Sequence, residues 1–592
     1  MKPIREWKDQ PEQGVFDVLP ELVEGRGGEP TLKVGRVLLH SRYQPCDEAR
    51  RLVESAELDR NRPVLVIGLG LGYHIEALQA YGVSELAVVE PDPAVLQIAA
   101  QTRLGDADFP AAVGDPEPLA TDPEFVAFCS RRPQIFVHPA TARLHEAAVS
   151  DLVVCASRAA LRDRRLRVAV VGPMYGGSLP IAEYLARAFE RLGHSALFVD
   201  NRKAWAIYQD VMDGIETKPA ANQLCGLLSN FLNEWSYARV MEFAPDICIV
   251  MAQAPVGPKF PLRLAKQGVV SAFWFVENWR HMAYWKDIAP YYDVFFHIQP
   301  GEFEAKLSDI GCGCHAFMPT GCDPEIHRPR ELTSEERDEY GCDMAFAGAG
   351  YFNRVELFKG LTDYDFKIWG VNWDVRELFP HLCHPEERFD AERYARIVAG
   401  AKINLNLHSS AYHDGVDPQC DAINPRVFEI AACGGFQLCD PCRNLEQFFD
   451  FENELPVYTN LSELREKIDY FLEHPDERDA IAARARARAL ADHTYEKRAQ
   501  QMLDLIVEAH GMRILRKGIR VQKTCAEMTE EVGADTDLGS FLASLPPDML
   551  FTHENLNEQL SRFGRKPSPA EGVFMYLREV REFAEALLER LP

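Results

Sequence analysis

Asn424-Pro-Arg-Val-Phe-Glu-Ile-Ala-Ala-Cys-Gly-Gly-Phe-Gln-Leu-Cys439 decides how this chain is read. An amphipathic helix starts just after Pro425, carries Arg426 and Glu429 in its first turns, and stops at the Gly434-Gly435 pair. Phe436–Cys439 then reads as a short buried strand. Helix followed at once by buried strand fits a parallel sheet covered by helices. The helix start offers unpaired backbone N–H groups and the positive end of the helix dipole, which suits a diphosphate. Arg426 adds a fork of donors for phosphate oxygens, and Glu429 adds an acceptor for ribose hydroxyls.

The pattern extends outward in both directions. Upstream strands are expected at Asp343–Ala347, Phe366–Trp369 and Ile403–Leu407, with the glycine turn Gly348-Ala-Gly350 and Arg354 after the first of them. Downstream, an Ala- and Arg-rich helix spans roughly Glu477–Leu490, and a helix from Tyr495 to about His510 is long enough to cross back to the preceding domain. That preceding domain opens with Arg167-Val-Ala-Val-Val171, the loop Gly172-Pro-Met-Tyr-Gly-Gly177 and a helix from Leu179 to Leu192. Its later strands fall near Ser195–Val199, Ile247–Met251, Val269–Phe275, Tyr292–His297 and Gly313–Met318. A further unit begins the chain: strand Pro63–Ile67, Gly68-Leu-Gly-Leu-Gly72, a helix, and a second strand ending at Glu90. Strand, glycine turn, helix and acid-terminated strand make a mononucleotide-binding unit through Gly68, Gly70, Gly72 and Glu90.

The expected organisation is therefore α/β, with three Rossmann-like domains at 1–155, 165–328 and 340–510 and a helical tail at 511–592. Ala156–Arg167 is read as a linker and Glu527–Asp537 as a loop. A chain of 592 residues is too long for one core, which agrees with several domains. Its net charge of −26 argues against a nucleic-acid partner, because phosphate backbones require a basic footprint. No apolar run approaches the roughly 20 residues that cross a bilayer. Fifteen cysteines lie scattered in apolar segments, the usage of reduced thiols in a cytoplasmic protein. Cys439-Asp-Pro-Cys442 is a lone C-x-x-C, and neither it nor Cys312, Cys314 and Cys322 has a matched second pair nearby. Zinc asks for such pairing, so no metal is expected.

The window Asn-x-Arg-x-Phe-Glu-x-x-x-Cys-Gly-Gly resembles the donor-site helix of CgeB-like glycosyltransferases of the GT-B fold. The resemblance covers about 165–510 and includes Gly172–Gly177, Phe346–Gly350 with Asn353-Arg354, Trp369-Gly370, Tyr470–Arg478 and His493–Tyr495. It implies that the last two domains form a GT-B pair holding a nucleotide diphosphate sugar (UDP, GDP or dTDP). Gly176, Gly177, Gly348, Arg354, Asn424, Arg426 and Glu429 would be on the donor side. Asp421 stands where many relatives carry a second, longer acid. The N-terminal stretch Ile67–His74 with Val89–Asp92 is similar to motility accessory factors and to Rossmann methyltransferases. That likeness implies either an S-adenosylmethionine site or a non-catalytic Rossmann module, and a protein acceptor such as flagellin, or a glycan.

Sugar transfer needs donors where charge builds on the leaving diphosphate, and a base for the acceptor hydroxyl. Glu277, just after the apolar strand Val270–Phe275, is the candidate base, and His408, just after Ile403–Leu407, a second catalytic candidate. No Asp-x-Asp motif ends a strand, and a metal-independent mechanism is expected. The readings left open are transferase, transferase with a methylating first domain, and a non-catalytic binding scaffold.

Overall fold

The computed structural model describes residues 1–551 apart from 9–18, 27, 57, 163, 385–388, 517–524, 534–535, 548 and 550, and beyond 551 only 555–556, 559 and 572. It divides into two compact units, one of residues 1–165 with the described residues from 504 onward, the other of 166–503.

In the first unit, β1 (Lys2–Pro3) is followed by a small antiparallel sheet of β2 (Glu21–Glu24), β3 (Pro30–Val34) and β4 (Val37–Leu38). The main sheet contains β5 (Val64–Ile67), β6 (Leu86–Glu90), β7 (Pro110–Val113) and β8 (Gln134–Val137). Its order is β1-β7-β6-β5-β8, parallel except for β1. Strand order reverses between β5 and β8, beside the glycine loop that follows β5. The helix Glu146–Leu161 packs on this unit, so the first half of the expected linker is helical. Part of the expected acidic loop is helical too: Cys525–Val532 is a helix whose partner, Asp537–Ala543, shares a small core with it. The tail from 573 on lies outside the described residues.

The second unit holds two parallel sheets. One is built from β9 (Arg167–Val171), β10 (Ser195–Val199), β11 (Ile247–Met251), β12 (Val270–Phe275), β13 (Val294–His297) and β14 (His315–Phe317), in the order β10-β9-β11-β12-β13-β14. The other contains β15 (Cys342–Ala347), β16 (Phe366–Trp369), β17 (Leu382–Cys383), β18 (Ala401–Asn406) and β19 (Gln437–Cys439), in the order β17-β16-β15-β18-β19. Central strands covered on both faces must be apolar on both, and β11 and β12 are buried at every position. Phe273, Phe275 and Phe295 stack across neighbouring strands, each worth about 1.5–3 kcal/mol of burial.

The helix Arg426–Ala432 ends in a Schellman arrangement. Gly435 N–H reaches Ile430 O at 3.1 Å, Gly434 N–H reaches Ala431 O at 2.9 Å, and Gly434 holds φ +77°. The chain then leaves the second sheet through the helix Pro475–Asp492 and returns to the first. Cys322 and Thr494 form a parallel bridge, with Cys322 N–H on His493 O and Tyr495 N–H on Cys322 O, both at 2.9 Å. The next helix, Tyr495–Arg516, packs Tyr495 against Tyr184 and Trp274, and Arg498 donates to the carbonyls of Pro319 and Thr320.

Candidate active site

Ligands of open α/β sheets bind outside the carboxyl ends of the strands, where strand order reverses. In the second sheet that point lies between β15 and β18. Gly348 follows β15, Asn406 ends β18, and Asn424 and Arg426 lie on the segment leading to β19.

Asn406 organises the group. Its Oδ1 accepts from Asn424 Nδ2 at 2.9 Å and from Arg426 Nε at 3.4 Å, while its own Nδ2 donates to Gln437. The Arg426 guanidinium stacks over Phe346 and lies against the backbone of Gly348, where an added Cβ would sit 2.7 Å from Nη1. Gly348 is therefore a glycine of close approach. Asn424 Oδ1 is buried without a protein partner. Glu429 stands beside this group, and burial lifts its pKa to about 7 against the pull of Arg426. Its nearest basic neighbour is His327 Nε2 at 3.8 Å, but burial lowers His327 to about 4, so the contact is not an ion pair.

Three expectations change at this site. The helix Arg426–Ala432 has seven residues, and its first amides are already used: Val427 N–H bonds Asn424 O, and Phe428 and Glu429 N–H bond Pro425 O. The cationic handle is therefore Arg426 itself, not a fan of free helix-end amides. Arg354 does not face a ligand. Its Nε and Nη2 donate to Leu407 O at 3.0 and 2.9 Å and its Nη1 to Ala349 O at 2.9 Å, so it pins the loop after β15 to the end of β18. Burial lowers its pKa well below the usual guanidinium value. His408 is 2% exposed and turned inward, its Nδ1 on Asp440 Oδ1 at 2.7 Å and its Nε2 buried without a partner. Burial opposes charge on this ring, but Asp440 and Cys420 together raise the pKa.

The first sheet of the unit supplies the other candidates. Gly176 (φ +102°) and Gly177 lie in the loop between β9 and the helix Ser178–Arg191, and a side chain on Gly177 would meet open space. Glu277 follows β12, only partly shielded, with no ion pair or hydrogen bond among the described residues, and burial lifts it to about 7. Its segment touches the second sheet's loops. Arg280 Nη1 donates to both oxygens of Asp421 (3.1 and 2.9 Å), Gln299 Nε2 donates to Asp421 Oδ1 (2.7 Å), and His281 stacks on Tyr412. Asp421 is thus a latch between the two halves.

Sequence reading missed Asn406 and Asp440. The signal for Asn406 was the alternation Ile403-Asn-Leu-Asn-Leu407, polar residues inside an otherwise buried strand. The C-x-x-C reading also changes: Cys442 lies beside Cys420, with the sulfurs 3.1 Å apart.

In the N-terminal unit the glycine loop after β5 is occupied by the protein's own groups. Gly68, Gly70 and Gly72 all take positive φ. Glu90 accepts from the amides of Leu69 and Gly70, and burial lifts its pKa to about 7. His40 Nε2 accepts from Leu71 N–H at 2.8 Å and lies where any side chain on Gly70 would go. His74 and His138 stack behind it at 4.7 Å.

Residues 354–504 match the family described as "Glycosyl transferase-like". The chain is 24% identical over 260 residues to the spore protein CgeB of Bacillus subtilis (strain 168), across 42% of this chain and 78% of that one. Among solved structures it is similar to sucrose-phosphate synthase of Thermosynechococcus elongatus (13% identity, 58% of this chain, 98% of that one, TM-score 0.41). It is also similar to HepE of Anabaena, solved with UDP and glucose (10% identity, 57% and 98%, TM-score 0.39). Residues 354–504, which hold most of the second parallel sheet, are thus a glycosyl transferase-like domain. Over the 260 residues of its match the chain is CgeB-like.

Proposed function

We propose that the chain transfers a sugar from a nucleotide diphosphate sugar to an acceptor hydroxyl. The observation that carries this reading is the group Asn406, Asn424, Arg426 and Glu429 at the switch point of the second sheet. Arg426 would neutralise charge on the departing diphosphate, and Glu429 would accept from ribose hydroxyls. Glu277, uncommitted and raised to about 7, would take the acceptor proton from the other sheet's side. No step of this scheme uses a metal on the diphosphate. A glycan or a protein such as flagellin is the proposed acceptor class, and the cytoplasm the proposed compartment.

The N-terminal unit is read as a non-catalytic module, because Glu90 and His40 hold the loop amides that a cofactor would need. Thermal-shift measurements with UDP-, GDP- and dTDP-sugars and with S-adenosylmethionine test both readings. A nucleotide sugar is expected to raise the midpoint, and Glu429→Ala to abolish the rise. Binding by no nucleotide sugar overturns the transferase scheme. Stabilisation by S-adenosylmethionine instead restores the methylating reading.

A further inference from the structure

Beside the donor group lies a cluster that the transfer scheme leaves unused. One ligand atom each of His408, Cys420 and Cys442 lie within 4.8 Å of one another. His408 and Cys442 are buried and Cys420 partly so. His408 gives Nδ1 to Asp440, which also accepts the His408 amide at 2.8 Å, and this fixes the ring by two bonds to one carboxylate oxygen. Its Nε2 is buried and has no hydrogen-bond partner among the described residues. A histidine oriented through one nitrogen by a carboxylate, its other nitrogen unpartnered and its ring within reach of two thiols, is the arrangement of a metal ligand with its supporting shell. Cys439 adds a further sulfur within 4.8 Å of the imidazole.

We propose that His408, Cys420 and Cys442 bind one zinc-class divalent ion, with Asp440 as the positioning carboxylate. Two thiolates and an imidazole are a donor set that zinc prefers, with a fourth position left for water. Tetrahedral bonds of about 2.3 Å to each sulfur ask the pair to part from 3.1 Å to about 3.8 Å, a small movement for side chains on loops. On binding, the thiols of Cys420 and Cys442 lose their protons to solvent, together with any proton on His408 Nε2, and nothing is oxidised or reduced. The ion would tie the loop after β18 to the loop after β19. Asp421, which latches the two halves, is the residue next to Cys420. The role is structural, separate from the diphosphate.

Metal content of the full chain, purified under reducing conditions, tests this directly. One equivalent of zinc per chain is expected, falling to below a tenth in Cys420→Ser/Cys442→Ser and unchanged in Cys312→Ser. Cobalt added to the metal-stripped chain should give thiolate-to-cobalt charge-transfer absorption that zinc displaces, a readout that does not depend on variants folding. Two results overturn the proposal: no cobalt absorption in the wild-type chain, or zinc retained in the double variant. A Cys420–Cys442 disulfide in place of bound metal under the same reducing conditions would also sink it. Nucleotide-sugar binding measured alongside separates failure of this site from failure of the transferase reading.

Discussion

Arg426 and Arg354 have the same charge and stand close together, yet their surroundings give them opposite tasks. Arg354 spends three nitrogens on backbone carbonyls, whereas Arg426 has, among the described residues, one long hydrogen bond to Asn406 through Nε. Charge-assisted bonds to phosphate contribute about 1.5–3 kcal/mol. Arg426→Ala should therefore weaken nucleotide-sugar binding by about ten- to a hundredfold, measured by calorimetry. Arg354→Ala should lower the melting temperature, because it leaves Leu407 O and Ala349 O unpaired.

Two carboxyls make pH predictions with different signs of consequence. Glu277 acts as a base only when ionised, so kcat/KM should fall as pH drops through about 7, and Glu277→Gln should lower kcat and remove that limb. Glu90 has a folded pKa of about 7, above its ordinary value of 4.5, through burial. Its contribution to stability is full below about 4.5 and lost as pH rises through about 7. Thermal unfolding across that window should show a decline that Glu90→Gln flattens.

At the scale of elements, the ends of helices and strands carry the argument. Gly434 at φ +77° closes the helix that bears Arg426, and a side chain in that conformation costs about 1–2 kcal/mol. Gly434→Ala should destabilise the chain by that amount in denaturant unfolding, with the donor group still formed. Much of this level was legible in the chain itself. β9, β11 and β12 are buried on both faces and so appear as largely apolar runs, and the glycine turn at Gly172 marks where β9 stops. β7 is Pro-Ala-Ala-Val and β17 only two residues long, too slight for any period to show. The helix Lys218–Phe243 was missed because it leaves Leu224, Leu227, Phe231 and Trp235 exposed, which blurs its amphipathic stripe. Positions that depend on local context were readable: Arg426 opens its helix and Glu277 follows its strand. Those that depend on chain return were not: Cys420 and Cys442 meet across 22 residues of loop, strand and helix, and Asp421 meets Arg280 across 141.

For the unit of residues 166–503 as a whole, the latch at Asp421 predicts energetic coupling. Arg280→Ala and Asp421→Ala should each reduce kcat/KM, and the double variant should lose less than the sum of the two. A double-mutant cycle checks this, and strict additivity would refute the latch.

The bridge between Cys322 and Thr494 has a mechanical consequence. Polypeptide passes from one half to the other twice, once outward after β14 and once back before the helix Tyr495–Arg516, and the two passages are bonded side by side. Two connections at one place behave like the pin of a door. Sliding or twisting apart is resisted by both passages at once, which leaves rotation about that line, held by the Asp421 latch. Gly321 lies on the line, where a Cβ would stand 2.6 Å from His493 O, so bulk there wedges the pin itself. Any movement of one sheet against the other would then run as a rotation about that line.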